Sequence, residues 1–383
     1  MNARLLDLIA DNRIVVCVGS GGVGKTTAAA TVALQAAIDG RKTLVLTIDP
    51  ARRLANSLGL AELDNAERRI ADEVFAAAGI TPKGELWGMM LDVKRTFDEL
   101  IRRIAPSDDA AERILGNHYY QNLSDALAGS QEYMAMEKLY ELQAERDYDL
   151  IVVDTPPTKH ALDFLEAPNR MADFLNGKVI QWFIKPYLMA GRVGFAFAQR
   201  SAAIVFKIME RATGYQAMAD LADFFLAFDG MYEGFKERAG QVKRLLGSDR
   251  TAFLLVSSPN RMSMEEAAVF FARLTRDRMT PRAIILNRVH EWPYQNTQWA
   301  DQARLAGEKV MKRFPQHAPA IDALIGNALE MAAIARADDT RIADFVGRLR
   351  SPVPIFRVPA LERDVHDVAA LLRVGEHLQA AHS

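Results

Sequence analysis

Cysteine is nearly absent: Cys17 is the only one in 383 residues. One thiol excludes an intramolecular disulfide, a two-thiol metal clamp within one chain and a thiolate-ligated cluster from one chain. A surplus of charge is missing too. The formal net charge is −2, so no basic field points to nucleic acid and no polybasic block points to anionic lipid. The most hydrophobic long stretch, 179–209, is broken by Lys185, Pro186, Arg192, Arg200 and Lys207. It falls short of the ~20 consecutive apolar residues that a membrane span needs. The first twelve residues are mixed in polarity and lack the apolar core of a signal peptide, which makes the cytoplasm the expected compartment. Internal repeats and low-complexity segments are also missing. Half of the residues are hydrophobic and a quarter charged, a soluble composition able to fill one large α/β domain or a domain with a big insertion.

What is present centres on Gly19-Ser20-Gly21-Gly22-Val23-Gly24-Lys25-Thr26-Thr27. An apolar run, 14–18, precedes it and a helix-friendly segment, 28–37, follows. Strand, glycine loop and helix satisfy the phosphate-loop pattern G-x-x-x-x-G-K-[ST]. Glycines let successive N–H groups turn inward around a phosphate, and the new helix aims its unpaired N–H groups at the same anion. Lys25 supplies charge for the β and γ oxygens, and the Thr26 hydroxyl is placed for Mg²⁺.

Further strands are predicted at 43–48, 86–92, 150–154, 252–257, 282–287 and 353–358, with helices over 51–58, 95–105 and 131–145. The stretch 299–350 reads as polar and helical, with Pro315 and Pro319 marking a break. The expected fold class is α/β, a parallel sheet covered by helices on both faces. Strands vanish over 159–246, which is helical and rich in Phe and Met. The expected division is a core of 1–158 and 247–383 and an inserted helical subdomain of 159–246, with part of 95–145. Those Phe and Met residues either line a groove for an apolar client helix or form the subdomain's own core.

Ligands in such sheets bind at the carboxyl ends of the strands, where Asp49 and Asp154 each close an apolar run. Two carboxylates beside a polyphosphate require a cation, and Mg²⁺ is the hard, oxygen-seeking candidate. Asp154 fits the strand-end aspartate that holds Mg²⁺ directly or through water; its alternative is a loop cap at Pro156. Spacing leaves Asp49 open, because Asp-Pro at a helix start is also an ordinary N-cap.

Three motifs in order carry a resemblance: Gly21 to Thr27, then Thr47-Ile48-Asp49-Pro50-Ala51, then Asp154-Thr155-Pro156-Pro157-Thr158-Lys159-His160. With Leu286-Asn287 and Val358-Pro359-Ala360-Leu361, they resemble the family of ArsA, the arsenite-pump ATPase, and of its relatives that target tail-anchored membrane proteins. The Pro156-Pro157 pair, 128–139 and 161–165 look most like its actinobacterial, mycobacterial-type branch. The resemblance implies a phosphate-loop NTPase of the deviant Walker A type, working as a dimeric Mg²⁺-dependent ATPase with two facing sites. It implies that Asp49 positions the attacking water, that Thr27 contacts the α-phosphate, and that Asp154 to His160 form switch II. It further implies that Asn287 reads the adenine and that Pro359 lies against its face. The alternatives are an exposed loop histidine for His160, a turn residue for Asn287 and a loop stiffener for Pro359.

Departures from the family pattern matter as much. Its second loop position is usually a lysine that reaches the partner's phosphates, and here it is Ser20. A cation delivered in trans is worth ~10³–10⁵ in rate. Lys159, where the family has glycine, is either a substitute or a solvated lysine. The single cysteine makes arsenite transport improbable, and neither the C-x-x-C zinc clamp of the targeting factors nor an iron–sulfur centre is expected. The expected activity is ATP hydrolysis, slowed by Ser20, that switches a homodimer or a dimer with a paralogue and acts on a membrane-protein or other apolar client. The rivals are a regulatory ATP-binding subunit paired with a lysine-bearing paralogue, an energiser of an anion transporter, and a small-molecule ligase or kinase, against which the Asp-Pro-Ala motif argues.

Overall fold

The computed structural model describes residues 3–48, 53–60, 62–123, 130–156, 231–279, 281–294, 298–349 and 351–381. Expectations placed on Asp49, on Pro157 to His160 and on the Phe- and Met-rich stretch up to residue 230 lie outside them.

Eight strands make one sheet in the order β3-β4-β2-β5-β1-β6-β7-β8. They are β1 (Ile14–Val18), β2 (Lys42–Thr47), β3 (Arg68–Arg69), β4 (Glu85–Met90), β5 (Leu150–Asp154), β6 (Thr251–Ser257), β7 (Pro281–Val289) and β8 (Ile355–Pro359). All neighbours run parallel except the two-residue β3, which pairs antiparallel with β4 at the edge. The principal helices are α1 (Lys25–Ile38), α2 (Val93–Ile104), α3 (Ser130–Glu145), α4 (Tyr232–Leu246), α5 (Arg261–Arg276), α6 (Trp299–Arg313), α7 (Ala318–Arg348) and α8 (Val368–Glu376).

The inner strands are apolar on both faces because helices cover both. Alternate residues serve different cores. Val15, Cys17, Val45 and Val152 face α1 and α8. Ile14, Val16, Leu46 and Val153 face a layer containing α2, α3, α4 and α5. On the first face α1 presents Ala29, Ala30, Ala33, Ala36 and Ala37, all fully buried. Side chains this small let the helix lie close to the sheet and carry its first turn to the end of β1.

On the opposite face, Phe97 of α2 stacks on Phe235 of α4 at 6.1 Å. The buried Glu137 of α3 accepts from Arg238 Nε of α4 at 2.6 Å. Burial pushes the Glu137 carboxyl above its ordinary range, and the guanidinium pulls it back. A buried pair of this kind specifies which helices meet more than it adds stability.

The break predicted near Pro315 is present: α6 ends at Arg313, a short 3₁₀ turn spans Pro315–His317, and α7 starts with Pro319 in its first turn. The structure departs from the polar reading of this region. Alanine-rich α7, with its 3₁₀ turn, is the one segment among the described residues long and apolar enough to cross a membrane by length and composition, and 11% of its most apolar window is buried. Its buried residues begin only at Ala332, so the first half of α7 leans mainly on α6. There Gly307 leaves room for Ile325, whose Cδ1 would lie 2.0 Å from an added Cβ.

Cys17 is fully buried in β1, and both burial and the nearby Asp154 charge push its thiol well above the ordinary range. The native thiol should therefore resist an aromatic disulfide reagent at pH 8 and react once per chain in denaturant; equal native and denatured rates would contradict this burial. The unfolded thiol ionises first, so Cys17 contributes full stability below the ordinary thiol range and loses it progressively as pH rises above that range towards the raised native value. The stability advantage of wild type over Cys17→Ala should shrink there by about 1.4 kcal/mol per pH unit in denaturant titrations.

Candidate functional site

Three strands end together at the centre of the sheet. Cys17 of β1 and Thr47 of β2 both stand opposite Asp154 of β5, and Val18 stands opposite Leu255 of β6. The glycine loop leaves this edge. Gly19 passes so close to β6 that a Cβ there would sit 2.0 Å from the Val256 carbonyl oxygen. Gly24 has φ +98°, and a Cβ on it would meet Asn287 Nδ2 at 2.1 Å. Both positions demand glycine.

Gly24 is also the N-cap of α1 and brings no side-chain oxygen to it. The first-turn N–H groups are thus not taken by a capping side chain, which is the condition for an anion to use them. Lys25 Nζ donates to the Ser20 carbonyl at 2.9 Å, so its stem lies along the loop. The Ser20 Oγ is buried and has no hydrogen-bond partner among the described residues.

Asp154 is fully buried, and its Oδ2 accepts from the Thr47 hydroxyl at 3.0 Å. Its neighbour Thr155 donates from Oγ1 to the Cys17 carbonyl at 2.8 Å, fixing the start of the next segment beneath the glycine loop. Gln131 of α3 donates to the Ile48 carbonyl at 3.0 Å and so holds the residue just before Asp49. The 128–139 stretch, which in sequence offers only a family signature, thus supplies a side chain that holds the residue following β2.

From the other side come β7 and β8. Asn287 Nδ2 donates to the Val23 carbonyl at 2.9 Å, and its Oδ1 accepts from the Arg288 N–H at 3.0 Å. The amide thereby ties β7 to the glycine loop, a job that sequence did not disclose. It keeps a second N–H and a second lone pair for a ligand. One cavity of about 730 Å³ is lined by Gly22, Gly24, Lys25, Thr26 and Thr27 on one side and Asn287 and Pro359 on the other.

Arg288, His290 and Arg363 line the same cavity and were missed. Arg288 has φ +59°, an unusual backbone for a residue with a side chain, and nothing in its sequence context signals that. His290 and Arg363 belong to no phosphate-loop motif. They reach the cavity only because β7 and β8 are neighbours.

Comparisons with known proteins bear on the family of the chain. The family described as Anion-transporting ATPase matches residues 12–316. A protein named putative arsenical pump-driving ATPase 1 from Aquifex aeolicus is 24% identical over 369 residues, 95% of this chain and 78% of that protein. ATPase GET3 of Malassezia globosa is 25% identical over 275 residues, covering 72% of each chain. An ATPase ASNA1 homolog of Paramecium tetraurelia is 26% identical over 274 residues, 71% of this chain and 74% of its own. With a phosphate loop at the carboxyl edge of a parallel sheet and a family match over most of its length, the chain belongs to the anion-transporting ATPase family and is an ATPase.

Proposed function

We propose that the chain is a Mg²⁺-dependent ATPase whose nucleotide state switches a dimer, and that the switch acts on a membrane-protein or other apolar client in the cytoplasm. The observation that carries the reading is the single cavity joining the phosphate loop to Asn287 and Pro359, since it offers one ligand a polyanion grip and a base-side wall. In this reading the amides of 21–24, the N-terminus of α1 and Lys25 bind the β- and γ-phosphates, and Thr27 binds the α-phosphate. Asn287 and Pro359 meet the adenine, Asp49 orients the attacking water, and Asp154 to His160 answer to the γ-phosphate.

The donors for a metal here are the Thr26 hydroxyl and the Asp154 carboxylate, both oxygen. No cluster of three or more His, Cys, Asp or Glu that could hold a metal occurs among the described residues. That fits Mg²⁺, which takes one or two protein oxygens and completes its shell with phosphates and water. When bound, it would neutralise charge building on the phosphate oxygens. Thr47 serves by holding the Asp154 carboxylate in one orientation.

The dimer and the client are supported by kinship with proteins named GET3 and arsenical pump-driving ATPase, not by the Phe- and Met-rich segment. Ser20 favours a second reading, a regulatory half paired with a lysine-bearing paralogue. Its hydroxyl is buried and, unlike a lysine, can supply no cation to a neighbour.

Steady-state turnover decides between them. Activity of the chain alone supports the first reading, and stimulation only in a mixture with a lysine-bearing paralogue supports the second. Under the first, Lys25→Ala should lower kcat by about 10²-fold or more in a phosphate-release assay. If the folded variant keeps wild-type affinity for ATP by calorimetry, both readings fall. Gly24→Ala should likewise weaken ATP binding, because the new Cβ strains the backbone at φ +98° and drives Asn287 off the loop; unchanged affinity would show that this tether is dispensable.

A further inference from the structure

Two adjacent acids of α7 hold the two chain segments beside the base-side wall of the cavity. Asp338 is buried, with 4% exposure. Its Oδ2 accepts from the His290 main-chain N–H at 3.1 Å and lies 2.8 Å from Nδ1 of the same residue. Its Oδ1 accepts from Arg341 Nη1 at 3.0 Å. Asp339 accepts from Arg357 Nη1 at 2.8 Å.

Neighbours on a helix point about 100° apart, which lets one turn of α7 grip two elements. His290 follows β7, three residues beyond Asn287, and lines the cavity; Arg357 lies in β8, two residues before Pro359. A carboxylate is costly to bury unless donors surround it. Asp338 has three, so the arrangement is a built feature rather than a chance surface pair. A carboxylate only accepts, so in this contact the His290 Nδ1 carries the proton.

We propose that Asp338 is a positioning residue for the nucleoside half of the ligand. It fixes the backbone and the ring of His290 before binding, so the ligand need not order that segment itself. The same contact ties occupancy of the cavity to α7, and through α7 to its packed partner α6. The inference rests on the reading of this cavity as an adenine-nucleotide site. It adds to that reading a residue far from every phosphate-loop motif.

The test compares ATP with inorganic tripolyphosphate, which shares the polyanion and lacks the nucleoside. Affinities of the full chain for both are measured by calorimetry for wild type, Asp338→Ala and Asp338→Asn. Asp338→Ala should weaken ATP about 10-fold and leave tripolyphosphate within about twofold. Asp338→Asn keeps a carbonyl oxygen for the His290 N–H and should lose only about threefold. Saturating ATP should slow amide exchange over both 287–292 and 334–342 in wild type, and over 287–292 alone in Asp338→Ala.

Unchanged ATP affinity in both variants overturns the proposal, as does equal loss for ATP and tripolyphosphate, which would mark general damage to the fold. If Asp338→Ala fails to fold, the near-isosteric Asp338→Asn decides by the same ratio. Failure of the underlying reading looks different: wild type then binds neither ATP nor tripolyphosphate.

Discussion

The close passage of the glycine loop between two strand ends is the constraint on which the rest of the site depends. At one point the loop nearly touches the carbonyl of Val256, and at another its backbone is held by the Asn287 amide. Neither contact survives a Cβ at Gly19 or Gly24 without movement. The loop is therefore shaped by its neighbours β6 and β7 as much as by its own glycines. A phosphate loop is usually described as a local motif, but here its geometry is a property of the sheet.

That sheet does the positioning through register. Parallel pairing places Cys17, Asp154 and Thr47 abreast at one edge, and the hydroxyl of Thr47 then orients the carboxylate of Asp154. The alanine-rich face of α1 brings the helix N-terminus to the same edge. The burial that builds this edge also acts on its titratable groups. The Cys17 thiol lies beneath the loop, feels both Asp154 and Lys25, and stays neutral because it is shut away from water. It is a packing residue, fully buried in the sheet.

The strands and the phosphate loop were legible because they rest on local signals: near-continuous Val, Ile and Leu runs, then glycines at fixed spacing. Among the described residues, seven strands lie where such runs predict them, within a few residues, and only the two-residue β3, built of Arg68 and Arg69, gives no apolar signal. Helix α5 was not predicted, since its apolar residues are interleaved with Arg and Glu over a modest stripe. The α7 segment was read as polar because its charges are conspicuous while its many alanines are individually bland. On the cavity wall, Asn287 and Pro359 could be singled out only through family resemblance. Arg288, His290 and Arg363 could not be found at all, because their place depends on β7 lying beside β8 across the 65 residues 290–354, and no local periodicity encodes that neighbourhood.

The intervening chain between β7 and β8 carries the longest helix among the described residues, and the placement has a mechanical consequence. A connection inserted between two strands that flank the cavity is anchored at both strand ends, so any change in the spacing of those ends is felt by the insertion. In α7 the anchoring is reinforced by side chains, with Asp338 holding the segment after β7 and Asp339 holding β8 itself. Beyond this point the helix runs back toward its N-terminus with little burial, packed chiefly on α6. A helix of 31 residues spans about 46 Å. The chain thus carries, next to this wall of the cavity, a long helix tied to it by the hydrogen bonds of Asp338 and Asp339.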